Sequence, residues 1–425
     1  MIIQNYRELA QNRTKKHALQ ILESGLEAAA PNIGLEKYIK KGKIKIDSTE
    51  FLSENYTAIH LVAFGKAADY MAKTVNFLLD VKSGFIVIPK GSKSVLSGKK
   101  FQIFNASHPT PNQTSVDAAK AIQKFLKRRK KSELVIFLVS GGGSSLVCLP
   151  DGVDLSDKMY ANDLLLKSGA TIQEFNCVRK HLSQIKGGRL VQGLACDAIS
   201  LIMSDVDDND LSAISSGTTY CDNTTFSDAL KIIRKYNLVK KMPENVMNRI
   251  FDGVNGKISE TPKEPVIPNY IVASNQDCID AMIKKAKDFG YSAKVLKVSG
   301  NIKDATQKIL KELPSSKSVL IFGGETTVEV LGNGKGGRNQ EIVLRLLKNM
   351  QKLDSKFVVA SIGTDGIDGN TEYAGAISSS EIDVSTVNKY LMNSNSSEFF
   401  AKTKGLVKTG YTHTNLQDIG IIIPQ

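Results

Sequence analysis

The amino-acid sequence predicts an α/β protein of two domains with a crevice between them. Three observations lead to this prediction. Short apolar runs alternate with longer helical patterns, three prolines lie within TPKEPVIP at residues 261–268, and the alternation starts again beyond them. Such alternation is typical of parallel sheets covered by helices, whereas closely spaced prolines can hardly continue a helix or a central strand. We therefore expect an N-terminal domain over residues 1–262 and a smaller C-terminal domain over residues 263–425.

In the N-terminal part, the apolar runs predict successive strands and the segments between them predict helices. IHLVAFGK, residues 59–66, leads into AADYMAKTVNFLLD, whose apolar residues recur at helical spacing. The strand-like runs GFIVIPK, KFQIFNASH, LVIFLV and AISLIMSDV follow. Beyond the prolines, YIVASN, SAKVLKVSG, SVLIFGGE, KFVVASIGTDG and DIGIIIP predict the strands of the second domain.

Composition excludes several classes of protein. The chain has 425 residues and five cysteines without the spacing of a zinc site or a disulfide framework. No apolar run approaches the roughly 18 residues of a membrane helix, so we expect a cytoplasmic protein with no membrane partner. The formal charge of +13 is spread along the chain, and KRRKK at residues 127–131 ends a helical pattern, where cations suit the helix dipole. The hypothesis of nucleic-acid binding rests on this charge alone, and we expect no nucleic-acid partner.

Polar residues follow five predicted strands at the points where the strands end. These sets are Gly65-Lys66, residues 140–145, Ser204-Asp205, residues 323–325 and residues 363–366. In an open parallel sheet, ligands bind beyond the carboxyl ends of the strands, where loop amides and helix N-termini converge. One such turn needs no functional explanation, since Gly, Ser and Asp are common in turns. Five such strand ends together predict a ligand-binding site at the carboxyl ends of the strands.

The segment SGGGSS offers backbone amides without bulky side chains, together with hydroxyl groups. Such amides can form an anion-binding nest. The sequence therefore predicts a phosphate or carboxylate cradle made by Ser140, Gly141, Gly142, Gly143, Ser144 and Ser145. The Walker motif G-x-x-x-x-G-K-[ST] is absent, so this is not a P-loop protein.

GNGKGG, residues 332–337, satisfies the pattern G-x-G-x-x-G of dinucleotide-binding proteins. TTVEVL precedes it, a helical pattern follows it, and Asp365 ends the next strand as a ribose-binding acid would. Asp365 lies further along than the usual roughly 20 residues. An NAD(P)-dependent oxidoreductase acting on a small hydroxy acid therefore stays an alternative of a different chemical kind.

Two charged clusters each allow two interpretations. FNCVRKHLSQIKGGRL contains Arg179, Lys180 and Lys186, and it is either a basic amphipathic helix capped by Gly187-Gly188 or a site for an anionic substrate. SDVDDND, residues 204–210, crowds four acids after a strand. It is either a magnesium site or a solvated acidic turn.

As a set, these strings resemble the glycerate 2-kinases of the MOFRL family. In order along the chain they are SHPTPN, LVSGGGSSL, NCVRKHLSQIKGGRL, SDVDDNDLSAISSGT, FGGETTVEVLGNGKGGRNQE, GTDGIDGNTEYAGA and TGYTHTNLQDI. The resemblance implies two α/β domains, the first Rossmann-like, with the active site in the cleft. It also implies ATP- and Mg²⁺-dependent phosphorylation of D-glycerate at its 2-hydroxyl, by a monomer or a homodimer.

The resemblance also assigns residues to roles. It marks Lys66, in GKAA, and Arg338, in GGRNQE, as catalytic cations. The family's Gly-Asp is Asp208-Asn209 here, so we assign the metal role in this segment to Asp205. Among the acids we expect Asp205 and Asp365 to hold magnesium or orient the substrate hydroxyl. We expect the remaining residues of the strand ends and the GGRNQE string to contact substrate or nucleotide, namely Glu325, Asn339 and Thr364.

Overall fold

A computed structural model gives the structure of residues 1–351 and 353–425. The chain divides into two compact units. Residues Leu35–Val272 form what we call the parallel-sheet unit. Residues Met1–Gly34 and Ala273–Gln425 together form the mixed-sheet unit.

The helices are, in chain order, α1 (Tyr6–Leu9), α2 (Arg13–Ala28), α3 (Pro31–Glu36), α4 (Ala68–Leu78), α5 (Gln113–Leu126), α6 (Gly143–Leu146), α7 (Leu155–Lys167), α8 (Ile172–His181), α9 (Phe226–Lys235), α10 (Glu244–Val254), α11 (Asn275–Asp288), α12 (Ile302–Leu310), α13 (Arg338–Met350), α14 (Val387–Met392) and α15 (Ser396–Lys402). The strands are β1 (Ile39–Lys40), β2 (Lys43–Ile46), β3 (Thr49–Leu52), β4 (Ala58–Phe64), β5 (Val81–Pro89), β6 (Phe101–Ala106), β7 (Glu133–Val139), β8 (Asp197–Met203), β9 (Asn269–Ala273), β10 (Ser292–Lys297), β11 (Gly300–Asn301), β12 (Ser318–Gly324), β13 (Thr326–Thr327), β14 (Phe357–Gly363), β15 (Gly375–Ser379), β16 (Leu406–Val407) and β17 (Asp418–Pro424).

The parallel-sheet unit contains a six-stranded sheet in the order β6-β5-β4-β7-β8-β9. The strands from β6 across to β8 pair in parallel. All seven residues of β4 are buried, which is why the central strand reads as one continuous apolar run. Numbered from β4, the order is 3-2-1-4-5-6, the doubly wound Rossmann order, in which the chain reverses direction across the sheet between β4 and β7. The predicted Rossmann-like parallel sheet is confirmed.

Helices pack around this sheet because their ends are defined by side chains and their apolar faces meet it. Helix α5 begins at a capping box, in which the Asn112 side chain accepts from the Ser115 amide at 3.2 Å and the Ser115 hydroxyl accepts from the Asn112 amide at 3.2 Å. Its buried Ile122 packs in one cluster with Phe64 of β4 and Phe137 of β7. Helices α7 to α10 form a separate apolar cluster around the fully buried Phe226.

The mixed-sheet unit contains a second six-stranded sheet, in the order β10-β12-β17-β14-β15-β16. Only β10 and β12 pair in parallel, and β17 lies antiparallel between β12 and β14. The alternation of apolar runs and helical patterns beyond the prolines therefore leaves the direction of these strands undetermined. The reason is that DIGIIIP is almost wholly buried, and a strand buried on both faces has the same apolar sequence whichever way it runs. Because β17 begins at Asp418, this residue lies opposite both Gly324 and Gly363, at the ends of β12 and β14.

The N-terminal helix α2 belongs to the mixed-sheet unit, where it packs against α11 and β17. The sequence places residues 1–262 in one domain, whereas the structure groups Met1–Gly34 with the C-terminal unit and divides the chain again between Val272 and Ala273. Helical periodicity shows that α2 has an apolar face but does not show what covers it. The cleft expected from the sequence stays a prediction.

Two exclusions drawn from composition can be compared with the structure. Within residues 1–351 and 353–425, no helix combines the length and the apolar character that crossing a membrane requires. All five cysteines are buried free thiols. This agrees with the expectation that the chain has no disulfide framework.

The packing of α2 on the mixed-sheet unit can be tested at Gly25. A Cβ atom at this position would stand 2.8 Å from Ile419 Cδ1 and 3.0 Å from Met282 Cγ. We predict that Gly25→Leu lowers the free energy of unfolding by about 1–3 kcal/mol, because the larger side chain overpacks this contact. Urea denaturation measures the change. Glu27→Leu introduces the same residue at an exposed position of the same helix and should change stability by less than about 0.5 kcal/mol. Equal effects of the two variants would contradict the assignment of α2.

Candidate active site

The ends of β4 and β7 approach each other at Gly65 and Ser140. Gly65 has φ +130°, and an added Cβ would overlap the Ser140 hydroxyl and stand 2.6 Å from its carbonyl oxygen. Only glycine meets both conditions. The Lys66 amide donates to the Gly141 carbonyl at 2.9 Å, and the Ala67 amide donates to the Ser140 hydroxyl at 3.0 Å. These bonds fix the backbone of Lys66 against the SGGGSS loop, just before α4 begins.

The SGGGSS loop turns sharply over the Lys66 side chain. Gly142 has φ +82°, and an added Cβ would stand 3.0 Å from His108 Cδ2 and 3.5 Å from Lys66 Cγ. Helix α6 starts directly after this residue. The loop therefore lies at the switch point of the sheet, where ligands of doubly wound folds bind. The predicted convergence of Gly65-Lys66 with residues 140–145 is confirmed.

A left-handed turn at residues 215–217 supports this loop, and the sequence analysis did not place it in the site. Ser215, Ser216 and Gly217 all have φ between +49° and +60°. Left-handed backbone costs an L-residue on the order of 1–2 kcal/mol, and such strain is concentrated at functional sites. The Ser215 hydroxyl donates to the Ser140 carbonyl at 3.3 Å, and the Ser144 and Ser216 hydroxyls are 2.8 Å apart. Residues 215–217 do lie in SDVDDNDLSAISSGT, one of the strings that resemble the family, and this was the signal in the sequence.

Gly187 and Gly188 serve this turn instead of capping a helix. Helix α8 ends at His181, so the predicted glycine cap is wrong. The Gly187 amide donates to the Ser216 carbonyl at 3.2 Å, and the Gly188 amide donates to the Gly217 carbonyl at 2.7 Å. Hydrogen bonds to the left-handed turn, and not a helix end, therefore explain the two glycines at positions 187 and 188.

The basic residues of this segment are largely buried, so a solvated amphipathic helix is also wrong. Lys180 lies 3.3 Å from the buried carboxylate of Asp222, which neutralises its charge. Lys186 is fully buried, and its ammonium group donates to the Ser215 carbonyl at 3.4 Å. Burial, followed by the charge of Arg179, holds the pKa of Lys186 well below its usual value. Burial also lowers the pKa of Arg179 to about 10. Anion binding by these three residues stays a prediction.

Asp205 lies two residues beyond the end of β8, the strand that pairs with β7 in the sheet. Burial raises the pKa of this carboxyl to about 6, and the charge of Lys66 opposes the rise. The third predicted strand end therefore lies near Lys66. No group of three or more potential metal ligands occurs among the residues that the structure describes. Magnesium commonly needs only one or two carboxylates beside substrate phosphates, so the metal roles of Asp205 and Asp365 stay predictions.

In the mixed-sheet unit, Arg338 is held by two acids. Its Nε donates to Asp418 Oδ2 at 2.6 Å, and its Nη2 donates to Asp418 Oδ1 at 3.0 Å. Nη2 also lies 3.2 Å from Glu325 Oε1. Nη1 has no hydrogen-bond partner among residues 1–351 and 353–425. The bidentate contact therefore orients the guanidinium and leaves one end of its donor fork for a ligand.

Asn339 connects this pair to the start of α13. Its amide group donates to Asp418 Oδ1 at 2.8 Å and accepts from the Ser361 hydroxyl at 2.6 Å. The fully buried Asp368 accepts from the Asn339 and Gln340 backbone amides at 2.9 and 2.8 Å. Burial raises the pKa of Asp368 to about 7. Asp368 and Asp418 were missed by the sequence analysis, although both lie in strings that resemble the family.

This arrangement contradicts the dinucleotide-binding alternative. A pyrophosphate in such proteins binds the free amides of a helix N-terminus. Here the carboxylate of Asp368 already occupies the amides of Asn339 and Gln340. The residues before GNGKGG form only the two-residue strand Thr326–Thr327, so the required long strand is absent from this described segment. An oxidoreductase built on this loop is therefore not supported.

Thr364 and Asp365 occupy the end of β14 as predicted. The Thr364 hydroxyl donates to the Gln417 carbonyl at 2.7 Å and accepts from the Leu416 amide at 2.8 Å, so it holds the segment that leads into β17. A Cβ at Gly363 would stand 3.2 Å from Asp365 Oδ1 and 3.4 Å from Asp418 Oδ1. Two carboxylates thus flank the same strand end.

The support of the SGGGSS loop by the left-handed turn can be tested at Gly143. An added Cβ there would overlap the Ser215 hydroxyl and stand 2.8 Å from Phe64 Cδ2. We predict that Gly143→Ala lowers the free energy of unfolding by about 1–3 kcal/mol. Ser215→Gly alone should change it by less than about 1 kcal/mol, since glycine accepts the positive φ.

The double variant should recover at least about 1 kcal/mol, which a double-mutant cycle in urea measures as coupling. Strictly additive effects would show that the two residues do not support each other.

Comparison with known proteins agrees with this architecture. A family described as "Domain of unknown function (DUF4147)" matches residues 17–251, and the MOFRL family matches residues 318–418. A glycerate 2-kinase from Pyrococcus horikoshii is 37% identical, with 95% of this chain and 96% of that protein covered. A glycerate 2-kinase from Picrophilus torridus is 34% identical, with 98% of each chain covered.

A solved structure shows the same likeness in three dimensions. The crystal structure of a glycerate kinase from Thermotoga maritima superposes with a TM-score of 0.82 at 33% identity, covering 96% of this chain and 98% of that one. Both matched families and the full-length relatives therefore lead to one conclusion. The chain belongs to the MOFRL family, together with the glycerate 2-kinases that it matches over nearly its whole length.

Proposed function

We propose that the protein transfers the γ-phosphoryl group of ATP to the 2-hydroxyl of D-glycerate and releases 2-phosphoglycerate. The observation that carries the proposal is the position of Lys66, whose backbone is bonded to the SGGGSS loop at the switch point of the parallel sheet. The relatives that cover nearly all of this chain are named for this activity. The chemistry of the described residues supports the same reaction.

Phosphoryl transfer requires in-line positioning and neutralisation of charge, with little covalent work by the protein. Lys66 supplies a point charge, and its backbone is hydrogen-bonded to the SGGGSS loop. Arg338 supplies a planar fork whose orientation Asp418 determines. We assign to each of these cations the neutralisation of charge on phosphoryl oxygens.

The SGGGSS loop and Asp205 suit the hydroxy acid. Ser144 and the glycine backbone offer donors to a carboxylate or to phosphoryl oxygens, and the left-handed turn holds the loop in position. Burial raises the pKa of the Asp205 carboxyl, and the charge of Lys66 opposes the rise and favours the ionised form. We assign to Asp205 the orientation of the 2-hydroxyl or a place in the metal shell.

The residues present are compatible with ATP and Mg²⁺. Asp205 in the parallel-sheet unit and Asp365 in the mixed-sheet unit are separate candidate ligands, because magnesium prefers hard oxygen ligands and commonly needs only one or two carboxylates beside nucleotide phosphates. When bound, the metal would neutralise charge on those phosphates. Glu325, Asn339 and Thr364 all contact parts of the chain that hold Arg338 or β17, so we assign them positioning roles.

The product of the reaction tests the proposal directly. We expect ATP and D-glycerate to give 2-phosphoglycerate, because the 2-hydroxyl is the proposed acceptor. An enolase-coupled assay should therefore report product without added phosphoglycerate mutase. A signal that requires the mutase would overturn the regiochemistry. Absence of ADP formation with D-glycerate would overturn the kinase assignment for this substrate.

Arg338→Lys tests whether a guanidinium fork is needed. Lysine keeps the positive charge near Asp418, but its compact ammonium lacks the planar fork with which arginine contacts both Asp418 oxygens and directs a further donor to a phosphoryl oxygen. We predict that turnover falls roughly ten- to a thousandfold, while the melting temperature changes by less than about 4 °C. Turnover within about twofold of wild type would show that charge alone matters.

The control is Arg345→Lys, because Arg345 lies on the same helix and pairs with Glu341. Its turnover should stay within about twofold of wild type. If Arg338→Lys lost activity together with a much larger fall in melting temperature, the role of Arg338 would be structural and not catalytic.

A further inference from the structure

A cavity of about 490 Å³ lies beside Arg338, wholly within the mixed-sheet unit. Its lining residues include Val328, Val330, Gly334 and Gly336. Pockets for small organic ligands typically hold roughly 300–1,000 Å³. A three-carbon acid such as glycerate would leave most of this volume empty, so the cavity suits a larger ligand.

The walls favour an uncharged, planar group. Val330 is 70% exposed, which gives the cavity an apolar surface in contact with solvent. Glycine residues present a flat backbone surface without side chains, on which a ring system can lie closely. Glu325 and Glu341 add carboxylates to the lining, which attract hydroxyl donors and repel anions.

Three consecutive amides of the glycine-rich loop, at residues 334–336, already donate hydrogen bonds within this unit. The Gly334 amide donates to the Asn393 carbonyl at 3.0 Å, and the Gly336 amide donates to the Asn370 side chain at 3.0 Å. The Lys335 amide likewise donates to Asn395 Oδ1 at 3.0 Å. These bonds satisfy the amides and stiffen the loop. Its glycines therefore shape a wall instead of an anion nest.

We propose that this cavity takes the base and ribose of ATP, with the phosphates directed to Arg338. This inference rests on the proposed function. The apolar wall and the glycine surface enclose the base, and Glu325 accepts hydrogen bonds from ribose hydroxyls. Nη1 of Arg338, which has no hydrogen-bond partner among the described residues, then meets a phosphate oxygen at the rim. The loop that matches a dinucleotide motif thus serves the nucleoside and not the pyrophosphate.

Val330→Ala tests the cavity by equilibrium binding, because removal of two methyl groups takes away part of the apolar wall. We expect the Kd for ADP, measured by titration calorimetry, to rise roughly three- to tenfold. The KM for ATP should rise with it, whereas the KM for D-glycerate should stay within about twofold. Leu331→Ala is the matched control, because Leu331 is the exposed neighbour that does not line the cavity. An unchanged Kd for ADP in the folded Val330→Ala variant would overturn the proposal.

Amide hydrogen exchange separates the nucleoside from the phosphates. Adenosine at saturating concentration should slow exchange in residues 325–341, and inorganic tripolyphosphate should not produce the same protection. Equal protection by tripolyphosphate, or none by adenosine, would overturn the proposal. These binding measurements need no turnover. A wild-type protein that binds ADP here but forms no phosphoglycerate would contradict the proposed reaction and leave the nucleoside site standing.

Discussion

The region around Lys66 in the parallel-sheet unit depends on one close approach, where the backbone at Gly65 passes Ser140. A side chain at position 65 would collide with the neighbouring strand end, and the positive φ would strain it further. Because the two strand ends lie so close, the Lys66 and Ala67 amides reach the SGGGSS loop. The Lys66 charge is therefore attached to a rigid part of the fold, which suits a reaction that is accelerated mainly by positioning.

The turn at Ser215 and Ser216, which contacts the SGGGSS loop, has a conformational cost. Ser215 and Ser216 stay in left-handed backbone because Gly187 and Gly188 bind their turn from one side and the loop packs on the other. Lys186 is buried under the same turn without a carboxylate partner among the described ion pairs, at the expense of a lowered pKa. Strained backbone and buried cations together support the proposal that this region binds a ligand.

In the mixed-sheet unit, side-chain hydrogen bonds hold a cation in a fixed orientation. Its strand β17 is antiparallel to both neighbours. Asp418, the first residue of β17, therefore lies beside the last residues of β12 and β14. That carboxylate holds Arg338 with two hydrogen bonds, and Asn339 links it to the start of α13. The glycine-rich loop nearby has its amides satisfied by its own unit and forms a cavity wall. A short motif can thus share its spacing with dinucleotide-binding proteins and have a different use.

The sequence by itself determined the α/β class, the parallel strands around β4 and the gathering of Lys66 with residues 140–145. Apolar runs and helical periods are local properties, and parallel strands place their carboxyl ends at one edge of a sheet. Resemblance to a known family added Arg338, which no periodicity distinguishes. The tertiary structure alone decided the direction of β17, the packing of α2, the burial of Lys186 and the roles of Asp368 and Asp418. Each of these depends on which distant residues meet in space, and a buried strand or an isolated acid has the same sequence whatever its partner is.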